Sequence, residues 1–150
     1  MGKILSITIQ TEGYGGVHQD AFLRTSVNEA TLLANHGIEG DRKAGKQPKR
    51  QVNLLSQTWL DAQAANGCQT DPGAFGEQMV IAGLDLEGLP IGTKLQLGTE
   101  AIGEMTMLRD GCVRLEAAQG REGFAGKPIG IMIRVLTSGQ IHVGDEVQAL

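Results

Sequence analysis

The stretch Lys94-Leu-Gln-Leu-Gly-Thr-Glu-Ala-Ile-Gly-Glu-Met-Thr-Met-Leu108, continued by Arg109-Asp-Gly-Cys112-Val-Arg-Leu115, sets the reading of the whole chain. Two strand-like runs, Lys94 to Leu97 and Ala101 to Leu108, flank Gly98-Thr99-Glu100, a loop whose length and glycine predict a β-hairpin. The far end of that hairpin delivers Arg109 and Cys112 to the rim of a sheet. Cys112 is one of only two cysteines, and it stands between a glycine and a predicted short helix, Val113 to Gln119, closed by Gly120. A thiol reacts as its thiolate, which nearby cations and a helix N-terminus favour; Arg109 and Arg114 therefore promote reactivity while Asp110 opposes it. The competing reading of Cys112 is a small buried hydrophobe, as most free cysteines are.

Outward from the hairpin, strand signals recur with glycine punctuation. Lys3 to Gln10 alternates, with Leu5, Ile7 and Ile9 on one face, and predicts a half-buried strand. Gly13 to Gly16 opens a loop that carries His18 and Asp20, read as solvated. Ser26 to Ala34 fits either a helix capped by Ser26 with Glu29 at the capping-box position or a strand. Asn35 to Asp41 is a turn, rich in residues that tolerate positive φ. Gln51 to Leu55 is a strand, with Arg50 at its beginning, and Ser56 caps a helix over Gln57 to Ala65 whose apolar face is Trp59, Leu60 and Ala64, ended at Asn66-Gly67. Asp71 to Glu77 forms a loop leading into the strand Gln78 to Ile81, Gly83 to Gly92 is a connection, and Arg121 to Gly126 is a glycine-rich loop. Ile129 to Leu136 is a near-continuous apolar strand, and Gln140 to Ala149 is the last. Arg134, inside the apolar strand, must face a cleft or reach solvent, because arginine is rarely buried unpaired. Seven or more short strands with two short helices make the fold class mostly β.

Composition narrows the function classes. A chain of 150 residues is one domain by length and buries a core without staples. A net charge of −4 argues against a protein that coats nucleic acid. No run of eighteen apolar residues and no signal-peptide pattern occur, so the expected location is the cytoplasm, away from any membrane. Cys68 and Cys112 lie far apart without a C-x-x-C, which suggests neither a disulfide framework nor a structural zinc site. Cys68 reads as structural. Against the acidic background, Arg42, Lys43, Lys46, Lys49 and Arg50 place five of thirteen basic residues within nine positions. That cluster is either a solvated loop or a phosphate site, for which an arginine fork is well shaped. Nucleic acid is a weaker third reading, since the run is short and carries no interleaved aromatics.

Five fragments in order carry a family resemblance: Gly37-Ile-Glu-Gly-Asp41, Arg50-Gln-Val-Asn-Leu-Leu-Ser56, Pro72-Gly-Ala-Phe-Gly-Glu77, Gly83-Leu-Asp-Leu-x-Gly-Leu-x-Ile-Gly92 and Arg109-x-x-Cys112. In this the chain resembles the MOSC domain, the sulfur-carrier domain found at the C-terminus of molybdenum cofactor sulfurases and as small bacterial proteins. The resemblance runs from about Ile4 to Val147. It implies a closed or partly closed β-barrel and favours the strand for Ser26 to Ala34. It also implies binding of a molybdenum-pterin cofactor, or carriage of sulfur for one, with Cys112 either bearing a persulfide or ligating molybdenum. On that reading Arg109 assists Cys112, while Arg42, Lys43, Arg50, Gly76, Glu77 and Arg134 are the residues expected to bind the small-molecule cofactor. The chain lacks a desulfurase domain and a ferredoxin-type cysteine cluster, so it is expected to work without pyridoxal phosphate and to take sulfur or electrons from another protein. Reduction of N-hydroxylated compounds is an activity the resemblance permits. Two departures stand out: Lys43 where members usually carry a histidine, and Gly111 where many carry proline. They leave open a second reading, a binding module that keeps the fold without the chemistry. Oligomeric state is not legible.

Overall fold

The computed structural model describes residues 1–11 and 24–150, so the loop with His18 and Asp20 lies outside the described residues. Eleven strands and two short helices are described, and seven of the strands close into a barrel. Around it run β1 (Gly2–Ile9), β11 (Glu146–Ala149), β7 (Lys94–Leu97), β8 (Ala101–Asp110), β9 (Pro128–Thr137), β5 (Val52–Ser56) and β6 (Met79–Ala82), which returns to β1. β2 (Thr25–Val27) adds to the outside of β1, while β3 (Glu29–Leu33), β4 (Gly37–Ile38) and β10 (Gly139–His142) form a separate small sheet.

An odd number of strands cannot close with antiparallel pairs alone, and the barrel meets this with one parallel pair, β5 with β6. A parallel pair needs a crossover, which α1 (Gln57–Ala65) supplies. Ser56 caps that helix, accepting from the N–H of Trp59 at 3.4 Å, and Gly67 turns the chain at φ 87°. Leu60 is its buried residue and packs with Leu55, Phe75, Val80, Leu115 and Ile129 in a second core beside the barrel. Ala64, expected on the apolar face, is exposed.

The hairpin forms as predicted, with Leu97 opposite Ala101 and Lys94 opposite Glu104. Three other expectations change. In β1 a register shift between Ile4 and Ser6 moves the alternation by one residue. Gly2 and Ile4 then face inward before the bulge and Ile7 after it, so Leu5 is exposed. The last strand is two: Gly144, at φ 96°, breaks it, and Asp145 accepts from the N–H of His142 at 2.8 Å. The halves then pair in different sheets. Arg50, expected to begin a strand, sits two residues before β5 in a turn closed by its N–H on Gln47 O.

Candidate functional site

A cleft of about 380 Å³ opens where the basic loop 42–50 meets the end of β8 and the start of α2 (Val113–Gln119). Arg42, Lys43, Lys46, Arg50, Arg109 and Arg114 line it, so six of the thirteen basic residues of an acidic chain share one cavity with, among the described residues, a single carboxylate, Asp110. Asn53, Gln78, Met132 and Cys112 contribute to the same walls. The size suits a small ligand, and the charge selects an anionic one.

Each side of the cleft is aimed by an identifiable device. On the loop side, Asp41 is buried and accepts four hydrogen bonds: Gln10 N at 2.8 Å and Arg24 Nη2 at 2.6 Å on Oδ1, Lys43 N at 3.1 Å and Gln78 Nε2 at 3.0 Å on Oδ2. Gln78 in turn accepts from the N–H of Asn53 at 2.7 Å. One carboxylate therefore fixes the start of the basic loop and, through Gln78, the cleft floor. Next to Arg50, Gln51 is buried and pinned to β9, its Oε1 accepting from Val135 N at 2.9 Å. That anchor gives the exposed Arg50 a rigid base.

On the cysteine side, β8 carries Arg109 into a buried position, 5% exposed, where its Nη1 meets no hydrogen-bond acceptor among the described residues. Burial is the main reason its pKa falls to about 10; Cys112 and Glu77 oppose that fall, while Arg50 and Arg24 add to it. Cys112 is exposed, as the N-cap of α2, and its side chain makes no cap bond. Gly111 before it is buried against Phe124 and Ile129: a Cβ there would collide with the Phe124 carbonyl and lie 2.7 Å from Ile129 Cδ1. Its N–H donates to Lys127 O at 2.8 Å, a bond proline cannot make. The glycine in place of proline thus has a local packing reason. The partner loop is itself held by Glu116, whose Oε2 accepts from Gly123, Phe124 and Ala125 N–H groups at 2.7, 2.9 and 3.2 Å. Those backbone donors hold its carboxyl below the usual carboxylate range, against a smaller opposing effect of desolvation.

Of the eight residues singled out in the sequence, Cys112, Arg109, Arg42, Lys43 and Arg50 line the cleft. Glu77 is buried behind it and accepts from Gly73 N at 2.6 Å and Phe75 N at 3.0 Å, tying down the loop that contains Gly76. Burial pushes its carboxyl up, opposed by those N–H groups and by Arg109. Arg134 lies elsewhere. It faces a neighbouring hollow beyond Lys46 and Gln47 and pairs with Glu104, its cross-strand neighbour, at 2.5 Å. Sequence reasoning missed Asn53, Gln78 and Asp41 as the cleft's floor and brace. The available signal was a lone asparagine within the apolar run Val52 to Leu55, since a buried amide demands partners.

Lys43 is exposed to the cleft's mouth, yet its ammonium is crowded. Desolvation, then the charges of Arg109 and Arg24, lower its pKa to about 8; Asp41 acts in the opposite sense and Arg50 in the same one. Cys68, half-buried, receives Arg121 Nη1 at 3.4 Å on its sulfur and lies apart from the cleft.

Among solved structures, the chain is similar to YiiM from Geobacillus stearothermophilus, at 19% identity and a TM-score of 0.73, covering 100% of this chain and 75% of that one. YiiM from Escherichia coli matches at 18% and 0.71, covering 99% and 69%. The YuaD protein from Bacillus subtilis matches at 17% and 0.71, covering 98% and 94%. Likeness at such identities speaks to the fold. No curated protein matches the chain. The sequence profile of the MOSC domain matches residues 41–148, a span that begins at the bracing Asp41 and takes in every cleft residue named above. By that match over well more than half its length, the chain belongs to the MOSC domain family.

Proposed function

We propose that the cleft binds a molybdenum-pterin cofactor and that the Cys112 thiolate is the protein's ligand to its metal. The observation that carries this reading is the convergence of an exposed thiol with six cationic side chains on one cavity in a chain of net charge −4. A pterin cofactor brings a phosphate for the guanidinium groups and a soft metal for the thiolate. The residues fit the group on a further count: buried Arg109 Nη1 lacks an acceptor and buried Asn53 Oδ1 lacks a donor among the described residues, and a ligand rich in both N–H and oxygen completes them. No three potential metal-ligating side chains gather among the described residues, and Cys112 is the side chain that would hold the metal. When bound, the cofactor supplies the redox-active metal. The chain's own residues bind the anion, hold Cys112 at the rim through Gly111, and keep the Arg109 charge close to that sulfur. Reduction of N-hydroxylated compounds is an activity that the family resemblance permits for a cleft so loaded.

A second reading, sulfur carriage, is favoured by the exposure of Cys112, which a donor protein can reach. The thiolate would attack the outer sulfur of a donor persulfide, forming the new S–S bond as the donor's thiolate leaves. No described helix is long and apolar enough to cross a membrane. The reduced thiols this function needs are those of the cytoplasm.

Molybdenum measured by mass spectrometry on protein from a cofactor-competent host tests the first reading. Metal is expected in the parent and in Cys68→Ser, and none in Cys112→Ser. Metal retained by Cys112→Ser at the parent's level rules out the thiolate ligand.

A further inference from the structure

The basic loop 42–50 borders two cavities. Beyond the cleft lies a hollow that is also about 380 Å³, and Lys46 and Gln47 belong to the walls of both. The loop is therefore a ridge, and it is fastened along its length. Gly45 N–H donates to His36 O at 2.8 Å, Arg50 N–H to Gln47 O at 3.2 Å, and Thr106 Oγ1, reaching across from β8, donates to Lys49 O at 2.5 Å. A Cβ on Gly45, which stands at φ 75°, would meet His36 Nδ1 at 2.9 Å, so the ridge also rests closely on that ring. A wall held in this way keeps its shape before any ligand arrives.

The polar groups of the hollow are held as firmly. Arg134 Nη2 donates to Glu104 at 2.5 Å, while its Nε meets no acceptor among the described residues. Gln51 engages Val135 N–H through Oε1 at 2.9 Å, which leaves the donor half of its amide for the hollow. Asn35, at φ 56°, is tied by its own N–H to Val135 O at 2.9 Å. Among the described residues no carboxylate and no aromatic side chain lines this space. Two cations and three amides select an anion that carries further hydrogen-bonding groups, and they suit hydroxyl groups better than a stacked ring.

We propose that the hollow is a second anion site, and that the two cavities together take small molecules with two separated phosphate groups on a hydroxyl-bearing linker. A sugar bisphosphate is the simplest member of that class. One phosphate lies among Arg42, Arg50 and Arg109 in the cleft, the other meets Arg134 in the hollow, and the linker crosses the ridge beside Lys46 and Gln47. The two phosphates are not neighbours, because a ridge one chain thick keeps them at least about 5 Å apart, the width of one strand in a sheet. Holding both ends makes the second contact intramolecular, so affinity exceeds that of either phosphate alone. The inference goes beyond cofactor binding and requires no metal.

The test is calorimetric titration of the full chain with inorganic phosphate, pyrophosphate and fructose 1,6-bisphosphate at one ionic strength. The bisphosphate is expected to bind at least about ten-fold tighter than phosphate, and pyrophosphate, too short to cross the ridge, to fall well below it. Arg134→Met should remove most of that advantage while phosphate binding in the cleft stays at the parent's level. Lys49→Met removes the same charge from a side chain that lines neither cavity, and the advantage should survive it. Because Arg134→Met also strips Glu104 of its partner, Asn35→Gly is the second variant: glycine adopts a φ of 56° readily, and one amide leaves the hollow. It too should reduce the advantage. A bisphosphate no tighter than phosphate, an equal gain with pyrophosphate, or a gain that neither variant reduces overturns the proposal. Molybdenum content is read separately. Metal uptake without the bisphosphate advantage refutes the second site alone, and the advantage without metal uptake refutes the cofactor alone.

Discussion

Gln78 donates from Nε2 to Oδ2 of Asp41 at 3.0 Å, a bond spanning 37 residues of sequence that joins the start of the basic loop to the entrance of β6. Asp41 also pairs with Arg24, and both side chains are almost wholly buried. Removing one partner of a buried pair leaves an uncompensated charge, so Asp41→Ala is expected to cost about 3 to 5 kcal/mol in denaturant unfolding. Asp41→Asn keeps two heavy atoms in place and should cost less. If Asp41→Ala unfolds at the parent's midpoint, the carboxylate is not the brace described here.

Gly111 gives a sharper test of how Cys112 is held. Gly111→Ala forces a methyl group against the Phe124 carbonyl and Ile129, which overpacking places at about 1 to 3 kcal/mol. Gly111→Pro adds the loss of the bond to Lys127 O and should cost more. Both changes should also alter the alkylation rate of Cys112 while leaving Cys68 as it was. A stable Gly111→Pro with parental Cys112 reactivity would show that this close packing is not needed.

The loop opposite Gly111 should be sensitive to acid through Glu116. Its folded pKa is held down by three backbone donors, so its contribution is complete above the unfolded carboxylate value of about 4.5 and is lost as pH falls through the folded value. Glu116→Gln should imitate the low-pH state at neutral pH. Amide exchange at Gly123, Phe124 and Ala125 is the measurement, with faster exchange expected in the variant at pH 7 and in the parent only under acid. Unchanged exchange in Glu116→Gln would assign the loop's order to other contacts.

Local signals carried much of this fold. The hairpin from Lys94 to Leu108 and both helices were legible because period-two alternation, a glycine turn and a serine cap act within a few residues. The face of β1 was not, since a one-residue bulge at Leu5 arises from pairing with β6, far away in sequence. The site divides in the same way. Cys112 and the basic run were visible as chemistry, but their meeting depends on barrel closure. Arg134, expected to face a cleft or reach solvent, is partly exposed and pairs with Glu104, and a cross-strand register is not written in either strand alone.

The last prediction concerns how the cleft holds an anion. Arg50 closes a turn and precedes the pinned Gln51, whereas Lys46 lies on the wall between two cavities and makes no ion pair among the described residues. A pre-aimed guanidinium makes charge-assisted hydrogen bonds of about 1.5 to 3 kcal/mol, so Arg50→Ala should weaken sulfate binding by roughly ten- to a hundred-fold. Lys46→Ala should cost much less, because the flexible ammonium must first be ordered. Lys43 adds a pH signature. Sulfate keeps its charge throughout the working range, so any pH dependence belongs to the protein. Below about pH 8 Lys43 is charged and contributes attraction; as pH rises through about 8 that contribution is lost, and near pH 8 binding should draw a proton onto the protein. Calorimetry in buffers of different ionisation heat reads this uptake directly. It should disappear in Lys43→Met and persist in Lys46→Met. Equal losses at Arg50 and Lys46 that vanish at high salt, with no proton uptake, would mean diffuse attraction by the loop in place of a built site.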